Sequence, residues 1–124
     1  MTPLIQVAIG GAIGASARYL TGLGMVRLLG KGFPWGTITV NFLGSFLMGV
    51  IVVVLAHENG NKFAPLIMTG ILGGFTTYSA FSLDAITIIE RGEIGLAAAY
   101  VIGTLVLALG GIALGLYAAR SFYA

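Results

Sequence analysis

The sequence predicts an all-α membrane protein with four transmembrane helices, the third of them broken at mid-membrane. Three observations support this fold class. The composition is 58% hydrophobic and 8% charged, four long apolar stretches follow one another, and the third contains a cluster of glycine and hydroxyl residues. The mean hydropathy of +1.04 is typical of membrane proteins. The length of 124 residues predicts one transmembrane domain, residues 1–124, with short connections.

The apolar stretches predict membrane spans at about residues 4–26, 35–56, 64–89 and 95–119. A helix needs about 20 predominantly apolar residues to cross the bilayer, and the last three stretches meet this requirement directly. The first contains Arg18, whose burial costs roughly 2.5–3.5 kcal/mol on insertion scales. We therefore expect the Arg18 side chain to snorkel, to cap helix carbonyls or to attract an anion toward a vestibule.

The middle of the third stretch is the most informative part of the sequence. Residues 64–83 carry no charge, yet residues 70–82 (GILGGFTTYSAFS) contain three glycines and four serine or threonine residues. Lipid cannot satisfy the backbone groups of a broken helix, so such a break is buried in protein or lines a site. The freed carbonyl and N–H groups are suitable ion ligands. This pattern predicts an ion site at mid-membrane.

Polar and aromatic side chains near this break have both functional and ordinary interpretations. Asn41 follows Thr37 in the second span, and its amide is expected to cap the broken helix, to donate to an anion or to join two helices. Tyr78 and Phe81 lie three residues apart on one helix face. Their positive ring edges suit an anion path, with core or lipid packing as the alternative.

Two further features of the third and fourth spans also have both functional and ordinary interpretations. Tyr100 and Thr104 lie four residues apart and share a helix face, so they complete a polar track or simply pack. Asp84 closes the uncharged part of the third span and is interpreted as an end-of-helix charge, with a role at a pore mouth as the alternative.

Glycines four residues apart predict close helix contacts: Gly10 and Gly14, Gly70 and Gly74, Gly111 and Gly115.

The basic residues are divided almost evenly between the two sides of the predicted bundle. Lys62, Arg120 and the N-terminus lie on one side, and Arg27, Lys31 and Arg91 on the other. The positive-inside bias is therefore nearly absent. This distribution is compatible with insertion in both orientations and with an antiparallel homodimer, although a single Lys or Arg can also orient a chain.

Several functional classes lack support in the sequence. The absence of cysteine excludes disulfides, thiolate catalysis and cysteine metal sites. No nucleophile–base pair, phosphate-binding loop or metal-ligand cluster is present, so an enzyme is not expected. The net charge of +2 is too small to indicate a nucleic-acid partner.

Three motifs, in order along the chain, resemble one family. They are residues 10–19 (GGAIGASARY), 34–44 (PWGTITVNFLG) and 73–82 (GGFTTYSAFS). By these motifs the chain is identified as a member of the Fluc fluoride channels, also called the CrcB family, over its whole length. The third motif differs from the usual GGxTTFSTFS at Tyr78, where Phe is usual, and at Ala80, where Thr is usual. The phenol adds a donor, and the alanine removes a hydroxyl.

The resemblance implies an antiparallel, dual-topology homodimer in the plasma (inner) membrane of a prokaryote. It implies two fluoride pores at the subunit interface, passive export of fluoride from the cytoplasm, and a central structural sodium ion. The sodium is expected on the backbone carbonyls of Gly73 and Thr76 from both subunits, and Arg18 near a vestibule. The fluoride pore is assigned to these residues: Asn41, Tyr78, Phe81, Tyr100, Thr104, Thr37 and Ser79.

Two other functions are alternatives to this prediction. A small, dual-topology, proton-coupled multidrug exporter also uses four short spans, but it needs a membrane-embedded carboxylate, and the first three spans have no central Asp or Glu. A purely structural membrane scaffold would use the glycines for packing alone, and it leaves the polar break in the third span unexplained.

Overall fold

The computed structural model of the protein describes residues 2–124 and confirms an all-helical fold. Its long helices are α1 (Pro3–Leu29), α2 (Trp35–His57), α4 (Tyr78–Glu90) and α5 (Ile94–Tyr123). The segment before α4 is helical in three short pieces: a 3-10 turn (Asn61–Phe63), a π-helix (Pro65–Leu72) and α3 (Gly73–Phe75).

Three helical segments of the described chain are long and apolar enough to cross a membrane. They are Trp35–His57, Asn61–Glu90 and Ile94–Tyr123. The 27 residues of α1 extend about 40 Å at 1.5 Å per residue, which is also sufficient length. Arg18 and other polar residues make α1 less apolar than the other three, so its crossing of the membrane stays a prediction.

Local sequence signals explain where α1 begins and ends. The Thr2 hydroxyl accepts a hydrogen bond from the Ile5 N–H at 3.2 Å, and Pro3 occupies the first helical position. Both are favoured at helix N-termini. Gly30 follows the helix with φ of +81°, a conformation that costs glycine little. The helix therefore stops before the short connection to α2.

Close glycine contacts join α1 to the segment that precedes the break. A Cβ atom placed on Gly70 would lie 2.8 Å from the Gly10 Cα, and one on Gly74 would lie 2.9 Å from the Gly11 carbonyl oxygen. A Cβ on Gly14 would likewise meet the Ile71 backbone. Small residues thus bring the two backbones together, as small-residue spacing does in membrane proteins, and α1 supports the broken segment.

A second interface packs α5 against α2 and α4. A Cβ on Gly111 would lie 3.2 Å from the Phe42 carbonyl oxygen, which shows how closely α5 approaches α2. Between α4 and α5 a buried cluster contains Ala85, Ile88, Ala97 and Tyr100. The predicted contacts through spaced glycines are therefore present in both interfaces, and α2, α4 and α5 together surround Tyr100.

Asp84 differs from its sequence interpretation. The helix α4 runs from Tyr78 to Glu90, so Asp84 lies in its middle and the end-of-helix interpretation is wrong. The first charge after a long uncharged stretch suggests a helix end, although the predicted span of about residues 64–89 already extends past Asp84. The next residues, Ala85 and Ile88, pack into the core and continue the helix past the charge.

Candidate ion site at the helix break

The third helical segment is broken at Thr76 and Thr77, within the glycine- and hydroxyl-rich stretch. Thr76 has φ of −89° and ψ of 160°, and Thr77 has φ of −153° and ψ of 124°. Both are extended conformations between α3 and α4. The predicted break is confirmed, while its depth in the membrane stays a prediction.

Threonine hydroxyls close the two helix ends that face each other across the break. The backbone N–H of Thr76 donates to the Leu72 carbonyl at 3.1 Å, and its hydroxyl donates to the same oxygen at 3.0 Å. On the other side, the Thr77 hydroxyl accepts from the Ala80 N–H at 3.2 Å. Thr77 is therefore the N-cap of α4, and the paired threonines define a sharp, locally satisfied break.

Asn41 joins α2 to the break by two hydrogen bonds. Its Oδ1 accepts from the Thr77 N–H at 2.8 Å, and its Nδ2 donates to the Thr77 carbonyl at 3.0 Å. Of its three expected roles, capping the broken helix is the one that the contacts support. The amide has two donor hydrogens, so one remains after the bond to Thr77 is made.

Arg18 also binds the break. Its Nε donates to the Gly74 carbonyl at 3.0 Å, and the bond is partly buried. Of the roles expected for this arginine, capping of a helix carbonyl is therefore observed. Arg18 also lines a cavity of about 330 Å³ together with Thr37 and Thr77, so the charge lies beside a space that reaches the break.

The candidate sodium ligands are the backbone carbonyls of Gly73 and Thr76, which lie at the two ends of the short helix α3. Gly73 begins α3 and is exposed on the surface of the chain, and a Cβ there would meet only the Met68 carbonyl oxygen, at 3.4 Å. Thr76 follows α3 as its C-cap, where the helical hydrogen-bond pattern stops. Neutral carbonyl oxygens at such an interruption are suitable ligands for a monovalent cation. The carbonyls of Gly73 and Thr76 therefore fit the sodium ion that the resemblance implies.

An open groove of about 250 Å³ runs beside the break between α2, α4 and α5. It brings together five of the residues assigned from the sequence to the pore or to the cation. The lining residues are Asn41, Ser45, Thr76, Thr77, Tyr78, Phe81, Thr104, Leu105 and Ala108.

The two aromatic residues of the break differ in exposure. The Tyr78 side chain is 80% exposed, and its ring centroid lies 5.8 Å from that of Phe81. Phe81 is half-buried and lies 5.4 Å from the ring of Tyr100. The three rings therefore form a row that runs from the surface of the chain toward its core.

Tyr100 and Thr37 meet at Asp84 rather than in the groove. Thr37 Oγ1 donates to Asp84 Oδ2 at 2.7 Å, and the Tyr100 hydroxyl donates to the same oxygen at 3.0 Å. Tyr100 is fully buried. Thr37 and Asp84 line a further cavity, of about 280 Å³, under the α1–α2 connection.

The remaining assigned residues lie close to the break but have different surroundings. Thr104 is buried and lines the groove, and no hydrogen-bond partner for its hydroxyl oxygen is found among residues 2–124. Ser79 is exposed, with its hydroxyl 3.4 Å from that of Thr77. Thr104 therefore offers an unused hydroxyl within the groove, whereas Ser79 is not among the residues that line it.

Comparison with known proteins adds a family to this geometry. The family model for CrcB-like proteins, described as Camphor Resistance (CrcB), matches residues 5–116. The chain belongs to the CrcB family. With its three apolar helices, this CrcB protein is a multi-pass membrane protein.

Curated CrcB relatives match almost the whole chain. A protein from Cereibacter sphaeroides (strain ATCC 17029 / ATH 2.4.9) is 61% identical over 124 residues, covering 100% of this chain and 99% of its own. One from Ruegeria sp. (strain TM1040) is 54% identical over 118 residues, covering 94% of each. One from Agrobacterium fabrum is 45% identical over 125 residues, covering 99% and 100%. All three are named fluoride-specific ion channel FluC.

Ser45 of this CrcB chain was not predicted from the sequence, and Asp84 was predicted without its partners. Ser45 lies one helical turn after Asn41 and lines the groove, and the spacing of four residues was the signal that would have found it. Asp84 was noticed but not connected to Thr37 and Tyr100. Its contacts are separated by 47 and 16 residues along the chain, so no local pattern reveals them.

Proposed function

We propose that the protein is a fluoride-selective channel that lets fluoride leave the cytoplasm passively. The observation that carries the proposal is the groove beside the break, where Asn41, Phe81 and Thr104 converge. The names of its relatives support the same function.

The groove has the chemistry that a small anion needs. Fluoride is strongly hydrated, so a pore must replace its water with other donors and still release the ion. Thr104 offers an unused hydroxyl, Asn41 retains one amide hydrogen, and the rings of Tyr78 and Phe81 present positive edges. All of these groups are neutral, so none binds the anion as a fixed positive charge would.

We further propose four membrane spans and an antiparallel, dual-topology homodimer. Tyr78 is 80% exposed and Gly73 is exposed beside the break, so a polar, functional region lies at the surface of a single chain. Lipid does not satisfy such a region, whereas a second copy of the chain would cover it. The balanced basic residues allow that copy to insert in the opposite orientation.

A structural sodium ion at the centre of this dimer fits the break. The carbonyls of Gly73 and Thr76 from each subunit would hold it, and when bound it would add positive potential without a titrating side chain. Arg18 and Asn41 already bind the Gly74 carbonyl and the Thr77 carbonyl, respectively. These two side chains therefore keep the neighbouring carbonyls occupied and leave Gly73 and Thr76 for the cation.

The proposed setting is the inner membrane of a bacterium, with fluoride, lipid and a second copy of the chain as partners. No enzymatic activity is proposed. The alternative, a proton-coupled multidrug exporter, requires a carboxylate that exchanges protons inside the membrane, and Asp84 is the residue that would serve. The names of the relatives support the channel over the exporter.

Fluoride efflux from proteoliposomes, measured with and without an imposed proton gradient, tests the proposal. A channel lets fluoride out along its own gradient whether the pH is equal or different across the membrane, once the membrane potential is dissipated with an ionophore. Efflux that appears only with a proton gradient would overturn the channel in favour of an exchanger.

A further inference from the structure

Asp84 is a feature of the structure that the proposed pore does not use. It is half-buried in the middle of α4. The ion pair found within residues 2–124 joins Arg91 and Glu93, at 3.1 Å, and leaves Asp84 without a cationic partner. An ionisable side chain inside a membrane segment is costly and marks a functional site by default. Its two hydrogen bonds indicate what that function is.

The Asp84 carboxylate holds two hydroxyl groups that the sequence assigns to the fluoride pore. The hydroxyls of Thr37 and Tyr100 converge on one oxygen, Oδ2, at 2.7 and 3.0 Å. Two donors from different helices that meet at one anionic oxygen are the arrangement that an anion site needs. Each hydroxyl has one hydrogen, so neither donates to a transported anion while it donates to Asp84.

We infer that Asp84 is a tethered competitor for the transported anion at this pair of hydroxyls. This inference rests on the proposed fluoride channel. The carboxylate occupies the donors of Thr37 and Tyr100 when no anion is there, and it turns away when fluoride takes them. Its return then displaces the ion, which prevents the site from holding fluoride too tightly to conduct.

The cavity beside Asp84 gives the displaced carboxylate a place to go. This cavity, of about 280 Å³, is lined by Thr37 and Asp84 at one end and includes Lys31, Arg91 and Thr87. Lys31 provides positive charge, Thr87 provides a hydroxyl, and Arg91, although it is paired with Glu93, adds to the positive potential. A carboxylate that leaves its two hydroxyls therefore enters a space with alternative partners, so the exchange does not strand an unpaired charge.

The substitution Asp84→Asn tests the competition, because it keeps an acceptor oxygen of similar size but removes the charge. Charge-assisted hydrogen bonds are roughly twice as strong as neutral ones, so we expect the half-saturating fluoride concentration to fall about fivefold. The maximal current should fall as well, because fluoride leaves more slowly. Both are measured as the concentration dependence of current across planar bilayers. Glu90→Gln removes an exposed charge from the same helix and is the matched control.

The charge-conserving variant separates competition from a structural role. Asp84→Glu keeps a carboxylate and should restore a half-saturating concentration near that of the original protein. A purely structural Asp84 would lower the amount of assembled protein in Asp84→Asn and leave the half-saturating concentration unchanged. An unchanged or higher half-saturating concentration in Asp84→Asn would overturn the inference.

A measurement on the unsubstituted protein keeps the inference falsifiable if Asp84→Asn does not assemble. Asp84 is the one aspartate in the sequence, so aspartate carrying 13C at its side-chain carboxyl, supplied in cell-free synthesis, labels this group alone. We expect its solid-state NMR shift in proteoliposomes to change when fluoride replaces chloride. An unchanged shift in protein that conducts fluoride overturns the competitor and leaves the channel intact. Protein that conducts no fluoride overturns the proposed function itself.

Discussion

Asn41 holds both backbone groups of Thr77, accepting from its N–H at 2.8 Å and donating to its carbonyl at 3.0 Å. One amide side chain on α2 therefore replaces the helical hydrogen bonds that the break removes. The result is an interrupted helix whose exposed carbonyls are few and defined. The break is thus a built feature of the fold, held from outside by a residue 36 positions away.

We predict that Asn41→Leu destabilises the protein strongly. The substitution keeps the approximate size of the side chain but leaves both Thr77 groups without partners, and each unsatisfied buried group costs about 1–3 kcal/mol. Thermal unfolding of the purified protein in detergent measures the effect. Asn61→Leu, in the exposed turn Asn61–Phe63, is the control and should change the unfolding temperature little. Equal unfolding temperatures for the two variants would contradict the role of Asn41.

The aromatic pair predicts opposite results for two substitutions. Phe81→Ile keeps apolar bulk but removes the polarised ring edge, so fluoride flux should be abolished or sharply reduced while the dimer stays intact. Tyr78→Phe keeps the ring and removes the phenol hydroxyl, so flux should persist. Fluoride efflux and dimer assembly are measured for both variants. If Phe81→Ile conducts normally and Tyr78→Phe does not, the phenol hydroxyl rather than the ring edges carries fluoride.

Substitutions at two glycines of the third segment distinguish the folding of one chain from the assembly of two. A Cβ on Gly70 would lie 2.8 Å from the Gly10 Cα, so Gly70→Ala forces two backbones apart and should cost roughly 1–3 kcal/mol of folding stability, as overpacking does. A Cβ on Gly73 meets only the Met68 carbonyl, at 3.4 Å, so Gly73→Val should leave a single chain folded.

The proposed dimer places Gly73 beside its partner and the sodium ion, so Gly73→Val should weaken dimer assembly. Size-exclusion chromatography and chemical cross-linking report the dimer fraction, and circular dichroism reports the helical fold. If the Gly73→Val protein is fully dimeric and sodium stabilises it as much as it stabilises the original protein, Gly73 does not lie at the interface.

The sequence was sufficient for the helical class and the position of the break, because both depend on local patterns. Hydropathy marks the long helices, and a run of glycine and threonine marks the interruption at Thr76 and Thr77. The contacts that organise the site were not predictable in this way. Arg18 binds Gly74 across 56 positions, and Thr37 binds Asp84 across 47. Such pairs depend on how the helices are packed rather than on spacing along one helix.

The local sequence pattern also led to a wrong interpretation of Asp84 as an end-of-helix charge. A charge after a long apolar stretch usually marks the end of a membrane helix, and that rule favours an end-of-helix role for Asp84 although the predicted span of about residues 64–89 continues past it. The helix continues because two hydroxyl donors, from Thr37 and Tyr100, satisfy the carboxylate within the bundle. The position of these hydroxyls beside Asp84 depends on how the helices pack, so hydropathy does not reveal it.

Dual topology predicts labelling from both sides of the membrane. The chain has no cysteine, so a single introduced Lys62→Cys gives an unambiguous signal with an impermeant thiol reagent. Sealed vesicles of one orientation should label only part of the protein from outside, and the rest after the membrane is opened. Glu93→Cys, at the opposite end of the bundle, should behave in the same way. Complete protection of one position and complete labelling of the other would show a single orientation.

The central claim is that the protein conducts fluoride and excludes chloride, and one measurement tests it most directly. Proteoliposomes loaded with fluoride and chloride are diluted into a buffer that contains neither, in the presence of a potassium ionophore. Ion-selective electrodes follow each of the two anions in the same sample. Phe81→Ile protein and empty vesicles are the controls. We predict rapid fluoride efflux, with chloride retained until detergent is added. Release of chloride together with fluoride, or retention of both, would contradict the account.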